Sequence, residues 1–441
     1  MGIVRKNLII KLPPEIWTHV CKFVQAKSDL VAMLYLCHCC NRAVFRKLYK
    51  KFTFYNCIQF VERVREQWIE SIEEVVLHVK RLELGHVVPG LDYSVNIPHS
   101  TRRTEYGAHW PQIINSLSFF CSLTWLSFAG IADMPPTLAP LLKDMKQLKN
   151  FKLSRCCFLH ETSFAPFTYA IISLELDCVC WHGKNQDRAL IIACENLTIM
   201  KLTWHSNIDL CSDKATGQTP IKIRWLTLQK TPWEWVWDES SDEKHKKSLL
   251  AALAEMPNLE SLTVTANIPP FYRSDLLLGR SFCPGLLHYR GTLKLLQVMH
   301  PVHITLQLLF LTENAVPFSV LEQYLPFLEN VQKVNISVND ENISGNMGSI
   351  FEKIKSVQYL IIEFPKADKE RLLDAVQAAV VATLASCIHL CKKLTKISIA
   401  AEGIFYNMKS ASLEEIEKNC PQLKTIEIGG SVSRWQQPFT L

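Results

Sequence analysis

The pattern hydrophobic-x-x-hydrophobic-x-hydrophobic recurs twelve times along this chain. The clearest copies begin at Val79, Leu123, Leu148, Ile171, Leu197, Ile223, Leu259, Val331, Val357, Leu394 and Leu423, and a weaker one at Leu286 ends on Gly291. Most successive copies lie about 23 to 29 residues apart. Apolar residues two apart read as a strand with one buried face. The stretch before most copies reads as a helix, and neither element can bury its apolar side until the next unit stacks on it. A chain of 441 residues with 48% apolar and 20% charged residues has material for a large core built this way.

The period and the pattern resemble a leucine-rich-repeat array of about twelve irregular units over residues 79–430. The Asn ladder of regular arrays is missing, since the corresponding segments read Leu153-Ser154-Arg155-Cys156, Leu202-Thr203-Trp204-His205 and Leu228-Gln229-Lys230-Thr231. The resemblance implies an α/β solenoid with a parallel sheet on its concave side and helices outside. By the two-residue alternation, that side should show residues such as Arg81, Glu83, Lys152, Glu175, Asp177, Lys201, Lys333, Asn335, Glu363 and Lys396. Small polar groups, both charge signs and a few aromatics are protein-recognition chemistry. Trp125, Trp225 and Tyr359 are the best anchors among them, because large aromatics tend to carry interface energy.

The period breaks between Ile223 and Leu259, where Thr231-Pro232-Trp233-Glu234-Trp235-Val236-Trp237-Asp238 precedes a charged run. Trp233, Trp235 and Trp237 at alternate positions suggest an extended segment with one aromatic face. It either folds back to cover the array or projects as a substrate-contact loop. A second irregular region spans Val87 to Trp110.

Ahead of the repeats stand Leu12-Pro13-Pro14-Glu15-Ile16, then Asp29-Leu30 and Leu36-Cys37. Pro13-Pro14-Glu15 makes a good first helical turn. Ile16, Val20, Phe23 and Val24 follow on one face. Ser28 or Asp29 is placed to cap a second helix carrying Leu30, Met33, Leu34 and Leu36, and a third short helix carries Val44, Phe45, Leu48 and Tyr49. The segment from Leu12 to about Phe54 resembles an F-box, the three-helix module that docks on the Skp-family adaptor of cullin-based ubiquitin ligases. Where that family usually has Trp, three residues after Cys37, this chain has Cys40. The resemblance implies that Leu12, Pro13, Glu15, Ile16, Val20, Leu30 and Leu36 bind the adaptor. Through it the chain would reach a cullin scaffold, while the repeats hold a protein substrate. The expected organisation is an F-box-like domain over 1–55, a helical linker over 56–78, the repeats over 79–430 and a tail over 431–441.

Charge agrees with such a division. Residues 1–55 hold ten Lys and Arg against Glu15 and Asp29, a charge of +8, whereas the rest holds 38 basic against 40 acidic residues. A compact basic head suits an acidic partner. No recognition-helix or RNA-binding signature accompanies it, so no nucleic-acid partner is expected.

The N-terminus lacks an apolar run of signal-peptide length, and Lys6 stands where a myristoylation signal needs Ser or Thr. A cytoplasmic or nuclear protein is therefore expected. The charge-poor run 375–391 reads as a buried repeat helix rather than a membrane span. Sixteen cysteines then read as reduced, buried small hydrophobes. Cys37-His38-Cys39-Cys40 and Cys178-Val179-Cys180-Trp181-His182 lack a second half at zinc-finger distance, so no metal or cofactor is expected. No phosphate loop, nucleophile elbow or zincin motif occurs, and the chain reads as a non-catalytic adaptor subunit. The alternative reading is a repeat scaffold outside any ligase, whose N-terminal helices simply cap the array.

Overall fold

The computed structural model describes residues 13–55, 57–66, 76–85, 110–131, 133–160, 162–164, 167–181, 186–203, 222–229, 249–254, 256–265, 283–299, 306–312, 330–337, 351–352, 355–364, 386, 388–401 and 410–428. Leu12, the tryptophans 233, 235 and 237, most of the region from Val87, residues 375–385 and the tail from 431 lie outside them. The chain forms two compact units, Met1–Asp209 with Thr231–Trp233 and Leu210–Lys230 with Glu234–Leu441.

The first unit opens with helices α1 (Pro14–Phe23), α2 (Lys27–Met33) and α3 (His38–Leu48). Their small core is Trp17, Cys21, Leu30, Cys40, Ala43 and Val44. Cys40, standing where a Trp was expected, is fully buried in it, and burial pushes its thiol up to about 11. The second helix begins two residues earlier than a Ser28 cap would set it and three earlier than an Asp29 cap would. Ala26 occupies the cap position without a side-chain hydrogen bond, and Asp29 falls inside the first turn, where it complements the helix dipole. The third helix is capped by sulfur, the Cys37 thiol accepting from the Cys40 N–H at 3.3 Å. Lys47 then reaches back across the module and donates to the Cys21 and Val24 carbonyls, both at 2.6 Å. A cation at the open C-terminus of α1 is the favourable sign there.

Strand β1 (Lys51–Phe54) follows directly and pairs in parallel with β2 (Arg81–Gly85). The head module therefore runs into the sheet without a spacer. A train of rings links them: Phe45 touches Tyr49, Tyr49 touches Phe52, Phe52 stacks on Phe54, and Phe54 meets Phe60 of α4 (Cys57–Glu66). Phe60 in turn packs on Phe120.

The unit continues through α5 (Trp110–Ser118), β3 (Trp125–Ala129), α6 (Leu138–Asp144), β4 (Asn150–Ser154), β5 (Cys157–Phe158), β6 (Ser173–Asp177), β7 (Cys180–Trp181), α7 (Gln186–Ala193) and β8 (Ile199–Thr203). The sheet order is β1-β2-β3-β4-β6-β8, and each neighbouring pair runs parallel. Strands in chain order, all parallel and joined by crossovers, are the arrangement of a leucine-rich-repeat solenoid. Register stacks Leu82, Leu126, Phe151, Leu174 and Met200 in one inward row, and all five are buried.

The turn after the strand repeats as well. Gly130, Arg155 and Cys178 follow β3, β4 and β6 respectively, and all three have positive φ, at 69°, 53° and 52°. The next residues inward, Ile131, Cys156 and Val179, are buried. Cys156 occupies the position of the missing ladder Asn, and its thiol donates to the Phe128 carbonyl of the preceding repeat at 3.5 Å. A cysteine thus takes over a hydrogen bond that a carboxamide makes in regular arrays. Outside these turns, β5 and β7 form a separate short parallel pair, with Cys157 opposite Cys180.

The second unit contains β9 (Trp225–Gln229), β10 (Ser261–Val264), β11 (His288–Gly291), α8 (Leu293–Val298), β12 (Leu308–Leu311), β13 (Lys333–Ser337), β14 (Tyr359–Phe364), a 3-10 turn at Ile388–Leu390, β15 (Lys396–Ala401), α9 (Ser410–Asn419) and β16 (Thr425–Ile428). Its strands again lie in chain order and pair in parallel. Leu226, Leu262, Tyr289, Leu309, Val334, Leu360 and Ile397 form the inward row, all buried. The weak motif at Leu286 has a steric cause: Tyr289 fills the space that two aliphatic residues share in other strands. A Cβ on Gly291 would stand 2.5 Å from its hydroxyl oxygen, and that hydroxyl donates to the Thr292 carbonyl at 2.6 Å.

Two strands exceed the motif count. β1 uses Tyr49, Phe52 and Phe54, and β12 uses Leu306, Leu309 and Leu311. Among the described residues no helix is long and apolar enough to cross a membrane, and no group of His, Cys, Asp and Glu could hold a metal ion.

Candidate interaction surfaces

Two surfaces stand out. The first is on the head. Because Trp17 and Cys21 face the core, the opposite stripe of α1 faces solvent, with Ile16 45%, Val20 38% and Phe23 72% exposed. On the second helix and the turn after it, Val31, Tyr35 and Leu36 are exposed too, Tyr35 at 85%. Pro13 and Glu15 lie in the open at the start of α1. A module this small that leaves six large apolar residues in water invites a partner. Leu30 departs from the expected set: it is only 3% exposed. It holds α2 onto the other two helices and cannot itself reach a partner.

The second surface is the outward strand face of each unit. In the first unit it is a polar lattice. Glu83 accepts from Arg81, Thr53 and Lys51 at 2.8 to 2.9 Å. Glu175 bridges Lys152 and Lys201 at 2.9 and 2.8 Å, and Asp177 accepts from Ser154 and Thr203, each at 2.7 Å. Register places these partners on adjacent strands. Burial pushes all three carboxyls up, but the hydrogen bonds and the neighbouring cations outweigh it and hold each below its ordinary value. Trp125, an expected anchor, lies half-buried beneath the Arg81 guanidinium at 3.9 Å. Cation and ring order each other there.

In the second unit, Trp225 sits beside Arg224, which makes a two-pronged pair with Glu260 at 2.8 Å. Tyr359 lies on the same strand face, with the Lys333 ammonium 4.6 Å and the Lys396 ammonium 4.9 Å from its ring centre. Four residues there escaped the sequence reading: His288, Arg290, Leu308 and Phe310. Their strands are the weak and the missed copies of the motif. Arg290 lies over the Phe310 ring at 4.3 Å. The spacing Leu306-x-x-Leu309-x-Leu311 was the available signal.

Cys156, Cys194 and Cys283 are buried, and burial pushes each thiol up to about 12.

No protein-family model matches this sequence, and no curated protein matches it. Among solved structures, a complex of TLR13 with the single-stranded RNA ssRNA13 is similar at 13% identity and a TM-score of 0.39, over 81% of this chain and 52% of that one. The chain thus spans about half the length of that structure. A leucine-rich-repeat protein of Leptospira interrogans is similar at 12% identity and a TM-score of 0.30, over 85% of this chain and 99% of that one. The repeat architecture rests on the strand order and register above.

Proposed function

We propose that this chain is the substrate-recognition subunit of an SCF-type ubiquitin ligase, its head docking on a Skp-family adaptor and its strand face holding a protein substrate. The observation that carries the reading is the solvent-facing stripe Ile16, Val20 and Phe23, which starts inside the F-box-like segment Leu12-Pro13-Pro14-Glu15-Ile16. A head that merely capped the array would turn such residues inward. The charge of +8 over residues 1–55 supports an acidic partner, and the aromatic train supports a head fixed on the first strand. In this reading the chain contributes position rather than covalent chemistry: it raises the local concentration of substrate lysines near a recruited conjugating enzyme.

Co-expression with a Skp-family adaptor tests the proposal. A stable one-to-one complex on gel filtration is the expected result. A full chain that elutes alone in the presence of excess adaptor overturns it and leaves a repeat scaffold outside any ligase.

A further inference from the structure

Outside the main sheet, β5 and β7 set Cys157 opposite Cys180 and Phe158 opposite Trp181. Two-residue alternation sends the sulfur pair and the ring pair to opposite sides. Phe158 is buried and stacks on Trp181 at 4.3 Å, the rings 15° from parallel, and Phe164 meets both rings edge-on. The other side belongs to the sulfurs, where Cys157 is half-buried and Cys180 exposed.

Backbone hydrogen bonds fix the pair. The Cys157 N–H donates to the Ile131 carbonyl at 2.9 Å, the Met134 N–H to the Cys157 carbonyl at 2.8 Å, and the Cys180 N–H to the Cys156 carbonyl at 2.8 Å. The Cys157 thiol donates to the Cys180 sulfur, and that hydrogen bond, against burial, pulls Cys180 down to about 7. The adjacent cysteines differ. Burial above all, with Asp177 adding to it, pushes Cys156 and Cys178 up to about 12. Cys180 is therefore a thiolate in water near neutral pH with a second sulfur held against it, the setting of a reactive cysteine.

Strands in register lie roughly 4.8 Å apart, inside the Cα separation that a disulfide accepts, about 4.4–6.8 Å. A disulfide also draws its Cβ atoms to about 3.8 Å, so closing this one pulls the strands together by about 1 Å against the stacked rings. A bond formed under that strain, in contact with water, is readily reduced again.

We propose that Cys157 and Cys180 form a reversible dithiol–disulfide site, oxidised by peroxide and reopened by a small thiol, that covalently ties two successive repeats. The Cys180 thiolate attacks one peroxide oxygen: an S–O bond forms, the O–O bond breaks, and the departing hydroxide is protonated to water. The Cys157 sulfur then attacks the sulfenic sulfur. The S–S bond forms, the S–O bond breaks, and the second hydroxide leaves with the Cys157 proton as water. Both thiols are oxidised and the peroxide is reduced. Reopening runs by thiol exchange, the small thiol ending as its own disulfide while the two cysteines regain their protons. The site needs neither adaptor nor substrate and stands apart from the ligase reading.

The test exposes the full chain, reduced and desalted, to hydrogen peroxide at pH 7, blocks it by alkylation and maps it by mass spectrometry with and without reduction. A peptide linking Cys157 to Cys180 should be the first oxidation product, formed at least about tenfold faster than any product at the exposed Cys121. Reduced glutathione should restore both thiols. Cys157→Ser keeps a donor beside Cys180 but no sulfur to resolve it, so Cys180 should accumulate as a sulfenic acid trapped by dimedone. Cys180→Ser should slow oxidation of Cys157 about tenfold or more, and Cys121→Ser should leave the link unchanged. The map of the parent chain decides the matter even where a variant fails to fold. Cys121 oxidised as fast as Cys180, a parent in which Cys180 oxidises without linking to Cys157, or a link that glutathione leaves closed would each overturn the site.

Discussion

Ile16→Asp is the substitution that most sharply separates a docking head from a capping head. Ile16 keeps 45% of its surface in water. Burying an aliphatic side chain completely stabilises by about 1.5–3 kcal/mol, so covering the remaining part on docking contributes roughly 1 kcal/mol. Ile16→Ala should then weaken adaptor binding about fivefold. A carboxylate at the same point must be stripped of water in an apolar interface, which costs roughly 3–5 kcal/mol more. Ile16→Asp should accordingly lower affinity by more than about a hundredfold. The fold should scarcely respond, because the side chain faces solvent and an acidic residue in the first turn of α1 suits the helix dipole. A change within about 0.5 kcal/mol is expected. Leu30→Ala is the contrast, since it opens a cavity in the head core and should destabilise by about 2–5 kcal/mol. Calorimetric titration against purified adaptor and a thermal melt, run on both variants, give the two axes. An Ile16→Asp chain that binds within threefold of the parent, with an unchanged melt, refutes the docking stripe.

Gly291→Ala should destabilise the second unit by about 1–3 kcal/mol in chemical denaturation, because the new methyl meets the buried Tyr289 side chain; the double variant with Tyr289→Leu should recover part of the loss. The lattice of the first unit should be acid-labile. Glu83, Glu175 and Asp177 have folded-state pKa values held below their ordinary ones, so their contribution is present above the usual carboxylate range and is lost as pH falls through the lowered values. Glu175→Gln should flatten that part of a stability-versus-pH curve and cost about 1 kcal/mol at neutral pH, the side chains being partly exposed. Cys180 is exposed, and a hydrogen bond from Cys157 pulls its thiol down to about 7 against the push of burial. It should be the first cysteine alkylated at pH 7, at a rate that falls as pH drops below 7. Cys157→Ala should slow it about tenfold by returning the thiol toward its ordinary range; peptide mapping after brief alkylation reads both.

Much of the architecture was legible because its cause is local. An apolar pattern two and three residues apart dictates which side of a strand is buried, and Leu126, Phe151, Leu174, Leu226, Leu262 and Leu360 all obey it. The motif failed where a residue did an unusual job. Gly291 looks like a broken repeat until Tyr289 is seen to occupy its space. Cys156 looks like a lost ladder residue until its thiol is found on the Phe128 carbonyl. β1 was hidden because the head runs into the sheet within three residues of α3. The head was read with the right helices, but the amphipathic pattern alone could not say which stripe of α1 is inside. Both stripes carry apolar residues, and Trp17 and Cys21 won the core by packing on Cys40 and Val44.

The sequence by itself determined that this is a repeat array behind a basic helical head, since periodicity and charge are one-dimensional properties. Tertiary structure alone decided which side chains meet. The ammonium groups of Lys333 and Lys396 share the Tyr359 ring, and Glu175 lies between Lys152 and Lys201, through strand register across 63 and 49 residues of chain. No local pattern encodes that register. The stacking of buried rows fixes it, and the outward face inherits whatever neighbours it creates.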